Sequence, residues 1–408
     1  MFQKCKKEIA LKRFRFFLQE VALGFVLIFF LLLLTLLVPT LIDTNSPLYG
    51  ILIYTIKALF VFIGVPLILI ISNIVFEPQK RDIILKEDIS PAKGHLKLYK
   101  ITKKNYTYQI LYGLLIFFLI FLPLDFFTYL LVPNMIEYQS LALPKTDIYL
   151  KSGTSYYIFL ISVIIIQFSV AMSEETIARG LITKRGSEHF FKMSAVMISA
   201  LFFGFGHFAY FLEHHNIEQL AGKSFPLWYP FVWFLQAFFI GIVLSLFVLR
   251  KKWILPVIIA HTLNNIISAH AIWSFNNAID FSVLIINLYF PLLFIGCILF
   301  IWQFSQIKES VFIGISMIKS YFKINETNEN SKSDTVFRIF IDILIGILIF
   351  FMSLYNSANY FNLCFSKFIF NFYWFEESSR WMCSLPKYFF PKIKAWFYSP
   401  KREAWYPQ

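Results

Sequence analysis

The chain alternates between long apolar runs and short polar intervals, and the runs set its architecture. Nine stretches are rich enough in Leu, Ile, Val and Phe to cross a bilayer: 16–42, 48–76, 106–132, 155–183, 192–212, 227–249, 253–269, 281–304 and 337–363. A spanning helix needs about 20 mostly apolar residues. Helix is the only state open to them, because an isolated strand in hydrocarbon leaves its N–H and C=O groups unpaired. The expected fold is an all-α, polytopic transmembrane helix bundle of eight core spans followed by a ninth hydrophobic segment.

The polar intervals divide the chain. Residues 1–105 hold two spans and a basic loop, and 106–305 form a membrane core. Residues 306–336, which include the run Asn-Glu-Thr-Asn-Glu-Asn-Ser-Lys-Ser-Asp, read as a polar linker. Residues 337–408 add a hydrophobic segment and an aromatic, basic tail. The first apolar run is too long for a signal-peptide core and reads as an uncleaved span.

Composition agrees with this division: 58% of the 408 residues are hydrophobic and 15% charged, against about 25% charged in soluble domains. A net charge of +13 suggests nucleic acid at first, but the basic residues gather between the runs. Lys80, Arg81, Lys86, Lys93, Lys97, Lys100, Lys103 and Lys104 lie in one interval, Lys184, Arg185 and Lys192 in another, and Arg250, Lys251 and Lys252 in a third. These are cytoplasmic anchors. They place the N-terminus in the cytoplasm and argue against a nucleic-acid partner; the expected partner is the lipid bilayer. The same rule conflicts with a ninth span, which carries the basic tail outside. Richness in Phe, Ile, Lys and Asn points to an AT-rich bacterial genome and a bacterial inner membrane. Cys5, Cys297, Cys364 and Cys383 are scattered, with neither a disulfide framework nor a structural zinc spacing.

Against this apolar background three polar motifs stand out, since ionisable groups inside a membrane are expensive and usually functional. The first is Glu174-Glu175-Thr-Ile-Ala-Arg179. Glu175 and Arg179 are four apart on one helix face and can pair, which leaves Glu174 free to act as a base. An ion pair at a membrane boundary explains Glu175 and Arg179 but not Glu174. The second is Phe203-Gly-Phe-Gly-His207, whose glycines Gly204 and Gly206 permit close helix approach. The third is His261-Thr-Leu-Asn-Asn265, with His261 and Asn265 on one face, suited to holding an oxyanion. Packing alone accounts for either histidine motif taken singly. Three spans with unrelated reasons for polar groups is the weaker account. At ~1.5 Å per residue Glu174 and His261 lie at a matching depth, ~13 Å from the cytoplasmic helix ends, while His207 counts to ~22 Å and fits less well. His214 and His215 fall in the next polar loop and read as solvated.

In this order the motifs EExxxR, FxxxH and HxxxN resemble the CAAX prenyl protease and bacteriocin-processing (CPBP, or Abi) family of glutamate-dependent intramembrane proteases. The resemblance covers roughly 106–305 and matches every defining position. It implies that Glu174 and His207 activate a water, that His261 and Asn265 stabilise the tetrahedral oxyanion, and that Glu175 and Arg179 support the first helix, with Phe203 as a structural support. The implied substrate is a peptide or protein at the membrane, whether a prenylated peptide, a bacteriocin precursor or a membrane protein segment. No metal or other cofactor is expected. A zinc version is the alternative, since one Glu and two His could hold zinc with an open fourth position, although no HExxH occurs. A non-catalytic immunity factor, scaffold or transporter is the rival from another class. A transporter tends to show broken helices in matching halves, which are not found, and a degenerate member should have lost a motif residue.

Overall fold

Helix is the only regular structure among the described residues, which are 2–76, 90–132, 134–142, 147–208, 211, 214–324 and 331–355 of a computed structural model. In chain order the helices are α1 (Cys5–Leu41), α2 (Pro47–Phe76), α3 (Pro91–Leu96), α4 (Tyr106–Leu131), α5 (Met135–Ala142), α6 (Tyr156–His189) and α7 (Lys192–Phe208). After them come α8 (His214–Ala221), α9 (Tyr229–Lys251), α10 (Leu255–Asn276), α11 (Phe281–Trp302), α12 (Phe304–Tyr321) and α13 (Lys332–Ser353). All lie in one structural unit ending at Ser353. The aromatic, basic tail is outside the described residues.

Eight of these helices (α1, α2, α4, α6, α9, α10, α11 and α13) are long and apolar enough to cross a membrane. The bundle expected from the apolar runs is therefore present, with one exchange of roles. The fifth run forms α7, whose 17 residues reach only about 25 Å against a hydrocarbon core of about 30 Å. The segment after the core is long enough to span. Helix α7 starts at the exposed Lys192 and enters protein at once, with Met193, Ser194, Ala195 and Val196 buried.

Small residues let α7 sit tightly between α9 and α13. A Cβ on Gly241 would meet the Ala200 Cα at 2.9 Å, and one on Gly346 would meet the Leu201 Cβ at 2.9 Å. Gly204 accepts the Phe234 ring and the Phe238 Cβ in the same way, whereas Gly206 faces open space. Only one of the two motif glycines is thus needed for close approach.

A buried ionic cluster joins the two ends of this unit. Arg13 of α1 places Nε 2.7 Å from Asp342 Oδ1 of α13 and donates through Nη2 to Ser194 Oγ at 3.0 Å. Tyr321 OH donates to Asp342 Oδ2 at 3.1 Å, and Arg338 donates to the Tyr321 carbonyl at 2.6 Å. Tyr321 closes α12, so part of the stretch read as a polar linker is helix. Its Phe304, Val311, Phe312 and Ile315 are exposed.

Four spans contain a π-helical turn: Phe17–Ala22, Phe117–Phe121, Thr176–Arg185 and Ile285–Tyr289. Such turns change the angular phase of a helix and often occur at functional sites. Here each carries a side chain into a polar contact or the site: Glu20 toward Arg185 and His189, Phe121 against His261, Arg179 toward Glu175, and Tyr289 toward Asp125.

The expectation for His214 is overturned. It is buried on α8, with Nδ1 3.0 Å from the Tyr138 hydroxyl and Nε2 3.2 Å from the Phe225 carbonyl. The loop it caps folds back onto protein, which a reading of local polarity misses. His215 is exposed as expected.

Candidate active site

The sequence Ser173-Glu174-Glu175 ends the regular α-helical part of α6, and the π-helical turn begins at Thr176. Glu175 faces inward and is fully buried, as is Arg179. Arg179 Nε lies 3.0 Å from Glu175 Oε2, and the guanidinium sits 4.3 Å above the Phe203 ring. A guanidinium in such surroundings needs both a counter-charge and an aromatic face. Glu175 and Phe203 supply them from two helices.

The other oxygen of Glu175 reaches a third helix. Its Oε1 is 2.8 Å from His261 Nδ1. A carboxylate already held against a guanidinium accepts hydrogen bonds, so Nδ1 carries the hydrogen and Nε2 is the free end of the ring. That free end lies 3.8 Å from Glu174 Oε2. Phe121 of α4 stacks on the same imidazole at 6.0 Å and 12°, and Phe203 meets it edge-on at 5.7 Å. His261 is therefore fixed by one carboxylate and two rings.

Glu174 differs from its neighbour. Its side chain is 43% exposed where that of Glu175 is 0%. In the middle of a helix bundle, this is the carboxylate that can meet water and substrate.

His207 stands one turn after Phe203, whose ring is 5.0 Å away, and its Nδ1 is 2.9 Å from the Phe203 carbonyl. A carbonyl only accepts, so Nδ1 again holds the hydrogen and Nε2 is left as a base. The ring is close enough to interact electrostatically with Glu174, His261 and Arg179. Asn265 follows His261 by one turn on the same face and is half-buried. It makes no hydrogen bond to the other site residues among those described.

Six of the seven residues singled out by the motifs (Glu174, Glu175, Arg179, Phe203, His207 and His261) thus form one connected group, and Asn265 borders it. Two neighbours carry no sequence signal. Phe121 is one among 51 phenylalanines. Tyr99, just after α3, places its hydroxyl 2.6 Å from Thr176 Oγ1, directly after the glutamate pair. Among the described residues no three His, Cys, Asp or Glu side chains converge as ligands of one metal ion.

No curated protein and no solved structure matches the chain significantly. A family model does: residues 156–267 match the one described as Type II CAAX prenyl endopeptidase Rce1-like. That range contains α6, α7, α8 and α9 whole and most of α10, with all seven motif residues. By this match the region that carries the site is similar to the CAAX prenyl endopeptidase family.

Proposed function

We propose that the protein is an intramembrane endopeptidase that hydrolyses a peptide bond of a membrane-associated or lipidated peptide or protein, using a water activated by Glu174 and His207. The observation that carries this reading is the division between the two glutamates. Glu175 is spent on Arg179 and His261, while Glu174 remains half-exposed beside the free Nε2 of His261.

In this mechanism a water loses its proton to Glu174 as its oxygen attacks the carbonyl carbon, with His207 Nε2 accepting the water's second hydrogen bond. Asn265 donates to the resulting oxyanion, joined by His261 Nε2 when the ring carries a second hydrogen there, its Nδ1–H staying on Glu175. The C–N bond then breaks, and the leaving nitrogen takes the proton back from Glu174. The products are an amine and a carboxylic acid, which releases its proton to solvent. General base catalysis contributes about 10²–10⁴-fold, and one oxyanion donor about 10²–10³-fold. The N-terminus is proposed to lie in the cytoplasm, which puts the basic intervals on the inner face.

The test is cleavage of a membrane-anchored reporter by the full chain in nanodiscs, with Glu174→Gln and His207→Ala as variants. Both are expected to lose at least about 10²-fold, while chelator leaves the wild type unchanged. Full activity in both variants overturns the reading. Loss under chelator with recovery on zinc replaces the water-activation scheme with a metal one.

A further inference from the structure

A second carboxylate lies in the membrane core beyond the catalytic group. Asp125 stands one turn along α4 from Phe121, the residue stacked on His261. Ser268, two turns along α10 from His261, donates to Asp125 Oδ1, and Tyr289 of α11 donates to Oδ2 at 2.7 Å. A hydroxyl donor on each oxygen satisfies the ionised carboxylate. Yet no Lys, Arg or His among the described residues forms an ion pair with Asp125. A negative charge inside a membrane without a counter-ion is costly and marks function by default.

Its surroundings point inward. Helix α10 has the most enclosed apolar window of the eight spanning helices, 50% buried against 17–44% in the others. Even so, Asn264, Asn265 and Ser268 are only partly buried, and so is Asp125 across from them. A polar stripe on the most enclosed span is expected to face the bundle rather than lipid, and this stripe begins at His261.

We propose that Asp125, held by Ser268 and Tyr289, is a specificity subsite for a cationic substrate side chain, lysine or arginine. Seven residues of helix separate Ser268 from His261, a rise of about 10 Å. An extended peptide covers that distance in about three residues. The subsite therefore selects a basic residue about three positions from the scissile bond. This inference rests on the protease reading above.

The experiment uses the full chain in nanodiscs and a quenched fluorescent peptide with a transmembrane anchor. Lysine is moved through four positions on each side of the cleaved bond, with norleucine and glutamate as controls. At one position lysine is expected to raise kcat/KM about tenfold over norleucine, and Asp125→Asn to shrink that ratio to within about twofold. Tyr289→Phe, which keeps the carboxylate and the ring, is expected to fall between the two. Should Asp125→Asn not fold, the wild-type scan decides alone. Cleavage of lysine and norleucine peptides at equal rates everywhere overturns the subsite and leaves the protease standing. Lysine-preferring binding to Glu174→Gln, without cleavage by the wild type, keeps the subsite and overturns the protease reading. Stabilisation by sodium over choline that is lost in Asp125→Asn, with no lysine preference, assigns the carboxylate to an inorganic ion and overturns the proposal.

Discussion

Glu175 Oε1 lies 2.8 Å from His261 Nδ1, joining residues 86 positions apart on α6 and α10. Because the other oxygen of the same carboxylate holds Arg179, one side chain sets both the charge balance of α6 and the ring orientation on α10. The residue that reads as a helix support is also the link between two halves of the site.

Replacing Glu175 by Gln is therefore expected to act on stability and activity together. It removes the counter-charge of a fully buried guanidinium, a loss of about 3–5 kcal/mol when one partner of a buried pair is deleted. Glu174→Gln, at a half-exposed position, is expected to shift stability by less than about 0.5 kcal/mol while abolishing cleavage. Denaturant unfolding in detergent micelles, run beside the cleavage assay, separates the two variants. Equal destabilisation by both contradicts the division of roles.

The ionic cluster at Arg13 gives a second ordered pair. Asp342 lies between Arg13 and Arg338, with nitrogen–oxygen distances of 2.7 and 3.9 Å. Asp342→Asn leaves two buried guanidinium groups facing each other, whereas Arg13→Met leaves a carboxylate still served by Arg338 and Tyr321. Asp342→Asn is thus expected to cost the more, at the upper end of about 3–5 kcal/mol. The same unfolding measurement ranks the two, and the reverse order contradicts the account.

Two titrating groups outside the spans are expected to oppose each other. Burial of His95 on α3 pushes its imidazole down to about 4. The folded state then holds it neutral while the unfolded chain takes up a proton, so stability is full above the ordinary histidine value near 6.5 and falls as pH drops toward 4. Burial of Asp147, whose Oδ1 accepts from the Tyr54 hydroxyl, pushes its carboxyl up to about 7. There the folded state keeps the proton, so stability is full below about 4 and falls as pH rises toward 7. Each slope is about 1.4 kcal/mol per pH unit. Between pH 4 and 6.5 the two nearly cancel in the wild type. Asp147→Asn is expected to reveal stability rising with pH, and His95→Asn stability falling with pH, in melts across that range.

Close packing around α7 yields the last prediction. A Cβ on Gly241 would come within 2.9 Å of the Ala200 backbone, while one on Gly206 meets nothing within 4 Å. Gly241→Val is expected to destabilise by about 1–3 kcal/mol and to lower kcat by displacing the helix that carries His207. Gly206→Ala, in a helix, is expected to be neutral or to stabilise by up to about 1 kcal/mol. Melting temperatures and cleavage rates of the pair check both.

Local spacing made much of this legible. The apolar runs give the spans because lipid leaves the backbone no alternative to helix. The Glu175–Arg179 pair follows from a separation of four residues. What spacing does not carry is phase and distance. The π-helical turn after Glu175 changes the angle at which later side chains leave α6, and the reach from Glu175 to His261 depends on two spans being neighbours. The shortness of α7 was hidden because its flanking residues are as greasy as a membrane segment. His214 looked solvated because its partners, Tyr138 and the Phe225 carbonyl, are set by tertiary folding. Asp125 did carry a signal, a lone acid in the apolar run 106–132, but with no motif around it to draw the eye.

The Arg13–Asp342 contact also bears on how such a chain is made. Helix α1 leaves the ribosome well before α13, so during synthesis the arginine must wait in the translocon or at the membrane surface while the helices between them, α6, α7 and α10 among them, are inserted. The nascent bundle can be seated without being locked. On the protease reading, a site that becomes rigid only when α13 docks is protected from cutting its own neighbours at the insertion site, and a fragment ending before residue 332 would lose that lock along with the helix packed against α7 at Leu201.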